Sequence, residues 1–180
     1  MKNNFKKILP FIGIPVFVIA LLLVRIRNLD PLQLLLRELL ILFVYIACVT
    51  DIKEKRVPNR LVLTMLAAWV IVLVPYLFFQ TDRALSTILS GLIGFGLSGV
   101  LFLLVYLISR HGLGGGDVKL MAVSGLYLGF GGVLPTMLIG SVLSAITALI
   151  LIISKKMDAK GTLPLVPFLY VGMLLTTFFR

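Results

Sequence analysis

Seven apolar runs constrain this 180-residue chain more than any other feature. They cover roughly residues 8–24, 32–50, 61–79, 84–109, 118–130, 132–154 and 163–179. About 20 apolar residues in a helix span the hydrocarbon core of a bilayer. A single soluble core has no room for seven such runs. With 60% hydrophobic and 13% charged residues, the composition also lies outside that of soluble domains. The pattern predicts an all-α fold, a polytopic bundle of transmembrane helices with about seven segments.

The formal net charge of +10 raises the question of nucleic acid. The cations do not form a stripe interleaved with polar or aromatic readers. They sit between the apolar runs, where they set topology, so no nucleic-acid partner is expected. If all seven segments cross and the N-terminus is cytoplasmic, Lys2, Lys6, Lys7, Lys53, Lys55, Arg56, Arg60, Arg110, Lys119, Lys155, Lys156 and Lys160 share the cytoplasmic side. Only Arg25, Arg27, Arg37, Arg83 and Arg180 remain outside. The expectation is an N-in, C-out multi-pass protein of the cell membrane. The segment 118–130 is the weak member, since thirteen residues rise only about 20 Å. Were it re-entrant, the charge bias would shrink without reversing.

Several chemistries find no support. Cys48 is the only cysteine, so there is no internal disulfide and no CxxC zinc pair. His111 is the only histidine, and no GxSxG elbow accompanies it. The glycine run at 112–116 lacks the lysine of a Walker phosphate loop. Lys2, Lys6 and Lys7 before an apolar run suggest a signal peptide. No small-x-small cleavage site precedes Arg25, so a retained first span is expected. Gly91, Gly94, Gly96, Ser98 and Gly99, and then Gly140, Ser141, Ser144, Ala145 and Ala148, read as close-packing helix faces.

Two of the seven acidic residues stand apart. Asp51 closes an apolar run in CVTDIKEKRVPNRL, and Asp117 follows the glycines of HGLGGGDVKLMA. A carboxylate at a membrane edge is costly and is a functional candidate for that reason. Taken singly, Asp51 reads as a helix-terminal acid in a solvated charged turn, and Asp117 reads equally as a helix N-cap. The pair is more informative. Two carboxylates that converge share one proton and activate a water, which is aspartyl protease chemistry.

The chain resembles the type IV prepilin peptidases, a family of GxGD membrane aspartyl proteases. In that family the first aspartate ends a membrane helix and is followed by a basic turn and a Pro-Asn pair, as at Asp51, Pro58 and Asn59. The second aspartate ends GxGD and precedes a Lys-Leu pair, as at Gly114, Gly116, Asp117, Lys119 and Leu120. The resemblance covers roughly residues 40–180. GxGD alone is a weak motif, but joined to the first element 66 residues earlier it is specific.

The resemblance implies a six-helix core within residues 31–180, with residues 1–30 adding an N-terminal helix and connector. It implies Asp51 and Asp117 as the catalytic pair near the cytoplasmic face. It also implies a prepilin or pilin-like substrate that loses a short basic leader. Glu54 is a candidate leader contact, while Lys53, Lys55 and Arg56 suit anionic lipid headgroups. Larger bacterial members carry a CxxC-bearing insert linked to zinc and to methyl transfer. Its pattern is absent from these 180 residues, so peptidase activity without metal or other cofactor is expected. Two alternatives stay open on the residues alone. One is a small ion- or proton-coupled transporter using the same carboxylates. The other is a scaffold in which both aspartates are caps.

Overall fold

The computed structural model of the chain describes residues 30–109, 114–155 and 163–179. The expected first span, 8–24, lies outside the described residues. Five helices form the described bundle: α1 (Pro31–Glu54), α2 (Asn59–Phe79), α3 (Thr81–Ile108), α4 (Gly115–Ile153) and α5 (Val166–Phe179). The first four are long and apolar enough to cross a membrane. Large apolar side chains such as Leu63, Ile71, Leu89, Ile108 and Leu138 point outward. Apolar surface on that scale belongs against lipid rather than water.

The helix ends follow from local chemistry. Pro31 begins α1, where a proline's missing N–H costs nothing. Lys55 closes α1 in the left-handed region at φ 52, its N–H donating to Asp51 O at 2.8 Å. A non-glycine residue there costs about 1–2 kcal/mol. Pro58 then caps α2, and Asn59 is its first helical residue. The reversal is complete within four residues, so the end of α1 and the start of α2 stay together.

α5 runs against α1. Val166 at its start meets Asp51, Tyr170 packs at a tilt against Tyr45 with ring centroids 5.9 Å apart, and Thr177 near its end accepts from Arg37. α3 and α4 share the most extensive interface in the bundle. There Gly94 faces Gly125 so closely that a Cβ on either would collide with the other's carbonyl oxygen. Gly91 also lies under α4, and Gly140 packs against Leu169 of α5. Gly96 meets nothing within 4 Å, and Ser141 and Ala145 are exposed, so the small-residue faces are narrower than their sequence spacing suggests.

α4 is broken at Gly129, which adopts φ 63 and ψ 176. Up to the break the helix runs alongside α2 in the same sense, through Lys119–Asn59 and Tyr127–Met65 contacts. Beyond it the helix runs against α5, through Thr136–Gly172 and Gly140–Leu169 contacts. The chain therefore turns back at Gly129. The break separates the two apolar runs 118–130 and 132–154. Backbone groups freed by it are paired: Trp69 Nε1 donates to Leu126 O at 3.2 Å, and Phe130 N donates to Ser90 Oγ at 3.2 Å. Gly129→Ala adds a Cβ 2.5 Å from Ser90 Oγ at a positive φ. It is expected to destabilise the protein by about 1–3 kcal/mol, read as a lower thermal midpoint in detergent.

Candidate active site

Asp51 lies in the last turn of α1 and is only 5% exposed. A carboxylate there opposes the helix dipole, and burying it without partners costs several kcal/mol. Its position is therefore not one that helix stability selects. The compensating contact comes from 115 residues away, where the backbone N–H of Val166 donates to Asp51 Oδ2 at 3.3 Å. Val166 opens α5, and its N–H belongs to the unpaired first turn of that helix. Lys55, just past the end of α1, is close enough for its charge to act on Asp51.

Asp117 is the third helical residue of α4 and half-buried. Gly114, not Asp117, holds the N-cap position. Asp117 N donates to Gly114 O at 3.0 Å, and the Asp117 carboxylate lies back against Gly114. A Cβ on residue 114 would stand 3.1 Å from Asp117 Oδ2. The first helical turn favours a carboxylate. Asp51 lies within electrostatic reach of Asp117. The two acids, 66 positions apart, thus meet at one end of the bundle.

Contacts between their flanking segments fix that meeting. Gly116 lies against Val57, where a Cβ would come within 3.1 Å of Val57 Cβ and 3.2 Å of Val57 O. Lys119 Nζ donates to Asn59 Oδ1 at 3.2 Å. Asp51, Pro58, Asn59, Gly114, Gly116, Asp117 and Lys119 are therefore brought together. Glu54 sits on the exposed rim at the end of α1, beside Lys53, Lys55 and Arg56. His111 and the glycine at 112 lie outside the described residues.

Sequence reasoning missed Val57 and Val166. Val166 contributes a backbone donor, which leaves no side-chain signature. The one signal is Pro167, which follows it in the first turn of a helix and itself lacks an N–H. A cavity of about 230 Å³ lies elsewhere. It adjoins the Gly129 break and is lined by Gln33, Arg37, Ser90 and Thr176 among others. Fourteen residues of α1, about 21 Å, separate Arg37 from Asp51, so that cavity is not part of this site.

These features define a helical membrane protein with a carboxylate pair at one end of its bundle. Residues 38–149 match the type IV leader peptidase family, and the chain belongs to it. It is similar to the prepilin leader peptidase/N-methyltransferase of Xanthomonas campestris pv. campestris, with 29% identity over 123 residues, 68% of this chain and 42% of that protein. A protein of the same name from Bacillus subtilis is 30% identical over 134 residues, 72% of this chain and 50% of the relative. The chain thus matches half or less of the length of these relatives. No solved structure matches it.

Proposed function

We propose that this protein is a membrane aspartyl endopeptidase that removes the short basic leader from prepilin or pilin-like precursors. The observation that carries the reading is the convergence of Asp51 and Asp117 at one end of the bundle in a chain of the leader peptidase family. Family membership supports the substrate class. The geometry supports the reaction type, because two carboxyl groups within electrostatic reach titrate as a unit and hold one proton between them.

In the reaction, the unprotonated carboxylate takes a proton from water as the water oxygen attacks the scissile carbonyl. The protonated partner donates a hydrogen bond to that carbonyl oxygen. When the tetrahedral intermediate collapses, the C–N bond breaks and the leaving amine takes a proton from the pair. The leader departs with a new carboxylate and the pilin with a new amine. The Val166 N–H holds the Asp51 carboxylate, and the first turn of α4 holds Asp117 beside Gly114, so the pair is oriented before substrate arrives.

The site faces the cytoplasm in this account, with the N-terminus inside and the C-terminus outside, as the distribution of basic residues favours. α1, α2, α3, the two limbs of α4 and α5 make six crossings, and the segment 8–24 adds a seventh. The apolar helix of the substrate approaches laterally through lipid. Glu54, on the exposed rim, meets the basic leader, and Lys53, Lys55 and Arg56 meet anionic headgroups. A proton-coupled transporter would place its carboxylates along a path through the bundle, whereas here both acids lie at one end.

The reading is tested by initial cleavage rates of a prepilin-like substrate in proteoliposomes across pH at constant ionic strength. The rate is expected to rise and then fall, because full protonation removes the base and full ionisation removes the acid. A rate that only rises to an alkaline plateau would contradict a shared-proton pair.

A further inference from the structure

Lys119 and Asn59 are not accounted for by stability. Lys119 lies near the N-terminal end of α4, where the helix dipole disfavours a cation. The same rim already carries exposed Lys53, Lys55, Arg56 and Arg60, so charge balance gives no reason for a further cation. Both Lys119 and Asn59 are exposed, and an exposed polar contact of this kind contributes little to folding. Its location is what distinguishes it. Asn59 begins α2, eight residues after Asp51, and Lys119 follows Asp117 by two. The bond at 3.2 Å therefore ties the segment after one aspartate to the segment after the other. Beneath it, Gly116 rests directly on Val57. A bulkier residue 116 would push the segments apart, and losing the Lys119–Asn59 bond would let them separate.

We propose that the Lys119–Asn59 hydrogen bond is a clasp that sets the spacing of Asp51 and Asp117, which makes both residues positioning residues for the reaction rather than contacts for substrate. This rests on the peptidase reading given above. The consequence is kinetic. A carboxylate pair displaced by about 1 Å loses on the order of 100-fold in rate with substrate binding little changed. A direct contact to the leader would behave in the opposite way, raising KM.

The test uses the full chain in lipid with a prepilin-like substrate. Lys119→Met, Asn59→Leu, the double variant, and the exchange variant carrying Asn59→Lys with Lys119→Asn are compared with wild type, together with thermal midpoints. Each single change is expected to lower kcat by about 10- to 100-fold, with KM within about twofold and the midpoint unchanged. The double variant is expected to be no worse than the poorer single one, because both remove the same bond. The exchange variant restores the bond with its partners reversed and is expected to recover kcat to within about threefold of wild type. Losses that multiply in the double variant, a rise in KM as the main effect, or no recovery on exchange would each overturn the clasp while leaving the peptidase reading intact. A wild type that does not cleave would overturn both.

Discussion

Asp51→Asn and Asp117→Asn are each expected to remove cleavage, with a loss of at least about 1,000-fold, while the protein accumulates in the membrane as wild type does. The amide is isosteric with the carboxyl group. In the Asp51→Asn variant its oxygen can still accept from the Val166 N–H, and in Asp117→Asn the amide fits the same place beside Gly114. The fold therefore has no reason to change. Stability is expected to hold or rise, since a buried neutral amide costs less than a buried carboxylate. An amide, however, neither takes a proton from water nor gives one to an amine. The double variant is expected to be no worse than either single variant, because the two acids act as one unit. The measurement is product formation on a denaturing gel, with expression and thermal midpoint followed in parallel. If both acids were only caps, the variants would cleave normally.

Gly125→Ala is expected to be a severely damaging single-methyl change among the described residues. The added Cβ would overlap Gly94 O and Ser98 Oγ, and the Gly94 obstacle is backbone, which cannot turn aside. α3 and α4 must then separate along their main interface. Overpacking of this kind costs about 1–3 kcal/mol where side chains can adjust, and this site lies at or above the top of that range. Activity is expected to fall with stability. Gly125 lies eight residues, about 12 Å, along α4 from Asp117, so displacing the helix displaces the acid. Gly96→Ala is the matched control. It lies on α3, where an added Cβ meets nothing within 4 Å, and is expected to be neutral. Thermal midpoints of the two variants in one detergent decide the matter.

The sequence made the membrane class legible because apolar runs of this length have one physical solution. It also made the helix boundary at Pro58 and Asn59 legible, since proline begins helices readily. The sequence divides the apolar runs 118–130 and 132–154 but does not mark the turn between them, which the structure places at Gly129. Gly96 shows the limit of spacing arguments. It belongs to the same small-residue run as Gly91 and Gly94 yet points away from α4. At the candidate site, the pattern singled out the two acids and the motif residues around them, which the structure brings to one end of the bundle. It did not give Val57 beneath Gly116, the Val166 N–H on Asp51, or the pairing of Lys119 with Asn59. All three depend on which helix ends meet in space. Two of them use backbone or aliphatic atoms that any residue could supply, so nothing in the side-chain pattern marks them.

The central claim is tested most directly by the intact mass of a prepilin-like substrate after incubation with the purified wild-type chain in lipid, with the Bacillus subtilis relative as a positive control. The account predicts that the substrate loses its leader in a single cut and that a new N-terminus appears at the start of its apolar helix. It also predicts that the substrate keeps its full mass with the Asp51→Asn/Asp117→Asn double variant. An unchanged mass with wild type, under conditions in which the relative cleaves, would contradict it.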